Sequence, residues 1–217
     1  MKRLGTFFAA GFLLLSSGCS EPGSHARGYY MLIDTSGTYT RELAKAQQII
    51  NFVLASLHPG DSFAVARIDT GSFSEKDIVA RITFDARPSV TNQQKRAFQE
   101  TIDSFVKSVK RGSPHTDVSG GLLQAVEYLN ETGAGRKTVL IFSDLEEDLA
   151  KGYVRDFVIP VKGFDVIAVN VTKLRSDNFD PREYLDRLAG WRKRVESAGG
   201  QWRVINDLER LDPIIKG

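Results

Sequence analysis

"GYYMLIDTSGTYTREL" (residues 28–43) changes character abruptly at its midpoint. Tyr29 to Ile33 form a continuous apolar run, the pattern of a strand buried on both faces. Asp34, Thr35, Ser36, Gly37 and Thr38 follow without a break, and a helical pattern begins a few residues later. Alternate residues in an extended turn aim the oxygens of Asp34, Ser36 and Thr38 at one point, with Gly37 letting the backbone curl. One carboxylate with neutral hydroxyls is hard-oxygen chemistry. It suits Mg²⁺ or Mn²⁺ and offers zinc or copper no soft ligand. Three local oxygens are too few for an octahedral ion, so others must come from elsewhere in the chain. Two places supply them: Thr116, in a loop just before a helix, and Asp144, at the end of the apolar run "VLIFSD". Each residue taken alone has a plainer reading as a helix cap: Asp34 and Ser36 for the first helix, Asp117 for the third, Asp144 for whatever follows its strand.

Working outward, Leu43, Ala46, Ile50, Val53, Leu54 and Leu57 recur at helical spacing until "HPG" (58–60) stops them. "DSFAVARID" (61–69) and "DIVARITFD" (77–85) read as strands joined by a link too short for a parallel crossover, hence antiparallel neighbours. Helices are expected over about 92–110 and over 118–130, and near-continuous apolar strands over 137–144 and 164–171. "DPRE" (180–183) opens a helix expected to bury Tyr184, Leu185, Leu188, Trp191 and Val195, leaving Arg187, Arg192, Lys193 and Arg194 on its solvated face. "QWRVI" (201–205) is a last strand and "DLERLDPII" a short closing helix. The order predicts an α/β fold: a doubly wound, mainly parallel six-stranded sheet with one antiparallel edge strand and helices on both faces, of Rossmann-like type. Ligands in such sheets bind beyond the carboxyl ends of the strands, and both Asp34 and Asp144 end strands.

Three stretches, "LIDTSGT", "SPHTDVSGGLLQA" and "VLIFSD", resemble the three loops of the metal-ion-dependent adhesion site of von Willebrand factor A domains. The match is residue by residue at Asp34, Ser36, Thr116 and Asp144. Thr38 stands where that family has Ser, keeping the hydroxyl and adding a methyl. "SAGGQWRVINDLERL" resembles the family's closing strand and helix, so the likeness covers about 28–212. It implies that these five residues hold Mg²⁺ (or Mn²⁺), and that the ion grips an Asp or Glu of a partner protein. An A-domain fold that has lost its metal is the alternative within the same family. "MLIDTSGT" is also similar to the haloacid-dehalogenase phosphatase motif, but Ser36 stands where that chemistry needs a second Asp as general acid. No serine-hydrolase elbow, metalloprotease helix or phosphate loop is present. A binding module rather than an enzyme is expected.

The N-terminus reads differently. "MKRLGTFFAAGFLLLSSGC" has a basic start, an apolar run and small residues, the organisation of a signal peptide over 1–18. "LLLSSGCS" resembles the lipobox of bacterial lipoproteins, which implies lipidation of Cys19, a tether over 19–27 and a folded domain over 28–217. Ser16 occupies the place where that family has Leu, and an unmodified cysteine behind a plain signal peptide is the alternative. Ser20 is not Asp, so the resemblance implies an outer-membrane anchor facing the periplasm. Cys19 is the single cysteine, so the core has no disulfide to rely on. Of the 29 Lys and Arg, two lie in residues 1–18 with no acid, leaving 27 basic and 27 acidic side chains. That balance, with no basic patch interleaved with aromatics, speaks against nucleic acid. "DLEED" (144–148) is expected to be solvated loop, His115 an exposed loop residue, and Trp191 and Trp202 packing residues.

Overall fold

The computed structural model describes residues 25–216 except Thr38, Thr40, Arg41, Lys173, Arg175 and the side chain of Ser176. The signal-peptide and lipidation expectations, Cys19 included, lie outside the described residues, and so does Thr38 as a ligand.

Six strands, β1 (Arg27–Asp34), β2 (Ser62–Ile68), β3 (Ile78–Thr83), β4 (Arg136–Phe142), β5 (Phe164–Val169) and β6 (Gln201–Ile205), form one sheet in the order β3-β2-β1-β4-β5-β6. All pairs are parallel except β2 with β3, which places the antiparallel strand at an edge, as the short link between them requires. The helices are α1 (Leu43–Ser56), α2 (Pro88–Ser108), α3 (Val118–Glu131), α4 (Pro181–Ser197) and α5 (Leu208–Lys216).

The side-chain alternation of β1 shows why both faces must be covered. Tyr29, Met31 and Ile33 enter one core with residues of α1, α2 and α5, while Tyr30 and Leu32 enter the other with residues of α3 and α4. Every one of these β1 side chains is fully buried. Burying each large apolar side chain contributes about 1.5–3 kcal/mol, so a central strand apolar at every position is stable only between two helical layers.

Three details differ from the sequence reading. Helix α2 begins at Pro88 rather than near residue 92, because Pro88 opens it with φ already set for a helix. Leu185 is 60 % exposed: the buried stripe of α4 runs through Trp191 and Val195 with Tyr184 and Leu188 half-buried, and Leu185 lies about 100° round the helix from Tyr184. Arg187 and Arg194 are not on a solvated face; both reach inward to polar partners described below. The 21-residue connection from β4 to β5 (143–163) contains no helix. Among the described residues no helix is long and apolar enough to cross a membrane.

Candidate functional site

Strand order reverses at β1, whose neighbours are β2 on one side and β4 on the other. A crevice beyond the carboxyl ends of β1 and β4 is therefore where a ligand belongs. Register fills it. Ile33 pairs with Phe142, so the next residues outward are Asp34 on one strand and Ser143 and Asp144 on the other.

Asp34 is fully buried. Its Oδ1 accepts the Ser36 N–H at 2.7 Å and its Oδ2 accepts the Ser143 hydroxyl at 2.7 Å. Burial pushes its pKa above the usual aspartate range, against the pull of those hydrogen bonds. Asp144 is 5 % exposed and accepts the Glu146 N–H on Oδ1 at 3.0 Å. Burial above all lifts its pKa to about 6; the Glu146 N–H and the Arg187 charge pull it down, and the Asp34 and Glu146 charges push it up. Neither carboxylate is ion-paired with a Lys, Arg or His among the described residues. Two buried carboxyl groups, each with its pKa raised by burial, thus influence one another at the ends of adjacent strands.

The other loops are fastened to these. Ser113 N–H donates to the Thr35 carbonyl at 2.8 Å, laying the 112–114 segment alongside Ser36. Gly112 is required for that approach. A Cβ there would stand 2.5 Å from the Gly37 nitrogen and 2.6 Å from its Cα. Thr116 is 6 % exposed and exchanges both backbone hydrogen bonds with Asp148, at 2.8 and 3.0 Å, tying its loop to the one that carries Asp144. Asp117 caps α3 through the Gly120 N–H, as its sequence position predicts, and is held by the Arg155 guanidinium at 2.5–3.1 Å.

The capping alternative for Asp34 and Ser36 fails on position. Helix α1 starts at Leu43, nine residues after Asp34 and seven after Ser36, and its cap residue, Glu42, makes no side-chain cap bond. Asp144 closes a two-residue turn onto Glu146 rather than capping a helix.

Several contributors had no sequence signal of their own. The Ser143 hydroxyl donates to Asp34 and accepts the Leu145 N–H at 3.0 Å, linking the two strand ends. Leu145 has φ 67°, a left-handed conformation that a leucine adopts only under constraint. The constraint comes from α4: Trp191 Nε1 donates to the Leu145 carbonyl at 3.0 Å, and Arg187 Nε to the Asp144 carbonyl at 2.9 Å. Arg187 is itself paired with buried Asp177 at 2.7 Å. Tyr39 is buried edge-on against Phe142 and donates to the Asn170 carbonyl at 2.8 Å, anchoring the segment after Ser36. In the acidic run, Glu146 and Asp148 are exposed as expected, but Glu147 accepts the Ser119 N–H at 2.7 Å and pairs with Arg194. His115, expected to be an exposed loop residue, is in a loop with its side chain 35 % exposed, and its ring meets Asp148 at 3.1 Å.

No protein-family model matches the chain, nor does any curated protein. Solved structures do. A von Willebrand factor type A protein from Catenulispora acidiphila superposes with TM-score 0.57 at 16% identity, covering 89% of this chain and 41% of its own. The human COPII-coat protein Sec24c gives 0.54 at 10% identity, over 91% of this chain and 33% of its own. Proximal thread matrix protein 1 from the mussel byssus gives 0.50 at 16% identity, over 89% and 47%. This chain has the von Willebrand factor A fold. It spans less than half the length of each of these structures. On the A-domain fold the three loops singled out in the sequence, around Ser36, Thr116 and Asp144, lie at the carboxyl edge of the sheet and are joined by the contacts above.

Proposed function

We propose that the chain is a metal-dependent protein-binding module. In this reading Asp34, Ser36, Thr38, Thr116 and Asp144 hold Mg²⁺ or Mn²⁺, and the partner presents an Asp or Glu. One observation carries it: two buried carboxylates, Asp34 at the end of β1 and Asp144 just beyond β4, lie close enough for the Asp34 charge to raise the Asp144 pKa, and neither has an ion-pair partner among the described residues. Uncompensated buried charge is costly, and a divalent cation would offset both carboxylates at once. Among the described residues no group of three or more His, Cys, Asp and Glu gathers; the two carboxylates with hydroxyls would offer an ion hard oxygens alone. Bound there, the ion would supply an electrophilic vertex that accepts a carboxylate from outside. The chain's own part is to hold the oxygens still, through Ser143 on Asp34 and Arg187 and Trp191 on the 144–145 backbone.

A metal-independent interaction role on the same fold is the second reading. It is favoured by Asp34 alone, both of whose oxygens already accept a hydrogen bond. Each carboxylate oxygen has two acceptor positions, so those bonds leave room for an ion. A phosphatase remains the weakest reading, since Ser36 provides no general acid.

If Cys19 carries lipid, the tether enters at Arg27, the opposite end of β1 from Asp34. Eight residues of strand set the two ends about 25 Å apart. The site would then face away from an outer-membrane anchor, toward partners in the periplasm. Isothermal titration of Mg²⁺ and Mn²⁺ into the wild type and Asp34→Ala, with a crosslinking pull-down from membranes in Mg²⁺ and in chelator, tests the proposal. Saturable binding and chelator-sensitive capture, both lost in the variant, are expected. No heat for the wild type with or without captured partner would sink the metal-dependent reading.

A further inference from the structure

We infer that the partner segment is acidic beyond its coordinating residue, and that the extra carboxylates lie in a basic cleft beside the site. This rests on the metal-dependent reading and names the partner class for it. The cleft has a volume of about 500 Å³ and is lined by Arg67, Asp69, Lys110 and Arg111 over a partly apolar wall of Phe105 and Val109. It adjoins the site directly. Thr35 and Ser113 both line it, and the Ser113 N–H donates to the Thr35 carbonyl one residue from Ser36.

Its charge is one-sided. Asp69 is satisfied internally: Oδ1 accepts the Ser113 hydroxyl at 2.5 Å and the Thr70 N–H at 2.7 Å, and Arg67 stands 3.5 Å from Oδ2. Arg67 also reaches Asp77 at 3.1 Å. Lys110 and Arg111 are exposed and have no ion-pair partner among the described residues. The 144–148 loop exposes Glu146 and Asp148, and Asp148 is paired with His115 at 3.1 Å. A segment carrying several carboxylates is therefore drawn toward Lys110 and Arg111 and repelled by Glu146. The plainer role for Lys110 and Arg111 is to offset the negative end of α2, but that helix ends at Ser108, with Val109 N–H closing on the Phe105 carbonyl and Lys107 already in the last turn. An extended segment advances about 3.3 Å per residue, so acids one to three positions from the coordinating one reach the cleft.

Two exposed charge pairs of this kind strengthen binding roughly tenfold in total at moderate salt. The test uses fluorescein-labelled glycine–serine peptides with either one Asp or one Asp followed by three Glu, measured by anisotropy in Mg²⁺ and in chelator. The proteins are the full chain and its Lys110→Glu/Arg111→Glu variant. The wild type should prefer the acid-rich peptide about tenfold in Mg²⁺. The variant should lose that preference while keeping its affinity for the single-Asp peptide and its Mg²⁺ titration. An unchanged preference in the variant, no preference or no peptide binding in the wild type, or equal displacement by inorganic polyphosphate overturns the inference. Binding that needs Mg²⁺ but ignores the charge reversal removes the cleft and leaves the metal reading standing. Binding that ignores chelator yet falls in the variant does the opposite.

Discussion

Replacing Asp144 by Asn should stabilise the chain in chelator at neutral pH while removing its response to Mg²⁺. Asn keeps the side-chain oxygen that accepts the Glu146 N–H and deletes the charge that burial and Asp34 oppose. The sign follows from the raised pKa. At acid pH the carboxyl is protonated in both folded and unfolded chains, and the charge costs nothing. Between the ordinary aspartate value, 3.8, and about 6 the unfolded chain ionises while the folded one stays protonated, so wild-type stability falls as pH rises. Above about 6 the full penalty is in place. A rise of that size corresponds to about 3 kcal/mol. For a domain of this length that is a Tm difference of about 6–12 °C in favour of the variant. Mg²⁺ reverses the order. At a concentration about a hundredfold above Kd it adds about 2.7 kcal/mol to the wild type and nothing to a variant that has lost the site. The assay is urea unfolding of both proteins in EDTA across acid to neutral pH, repeated in Mg²⁺. A variant less stable than wild type at neutral pH in EDTA, or a stability difference that does not grow between acid and neutral pH, refutes the reasoning.

Gly112→Ala should cost about 1–3 kcal/mol and weaken Mg²⁺ binding together, because its Cβ meets the Gly37 backbone rather than a side chain that can swing away; urea unfolding and titration calorimetry read the two effects. Arg155→Ala should cost about 3–5 kcal/mol by stranding Asp117, whose side chain is 1 % exposed, and adding Asp117→Asn should recover most of that loss in thermal melts because Asn still caps α3. Leu185→Lys should change stability by less than about 0.5 kcal/mol whereas Trp191→Ala should cost about 3–5, a contrast that denaturant midpoints resolve.

What could be read along the chain was whatever depends on near neighbours in sequence. Apolar runs at 29–33, 137–142 and 164–169 announce strands buried on both faces, and the short link from β2 to β3 imposes an antiparallel edge. Asp34, Thr116 and Asp144 stand out because each oxygen-bearing residue sits where an apolar element starts or ends. Tertiary structure decided the rest, through contacts between segments far apart in the chain. Ser143 becomes a partner of Asp34 only through the β1–β4 register, 109 residues away in sequence. Arg187 and Arg194 look like a solvated helix face until Asp177 and the Asp144 carbonyl, or Ser119 and Glu147, are folded against them. Leu185 and Leu188 are the same residue type, and only the angle at which α4 meets the sheet separates the exposed one from the half-buried one. Local periodicity reports which face of an element is apolar. It carries no information about which distant polar group will arrive there, because that group is brought by the sheet order and not by the chain's own pattern.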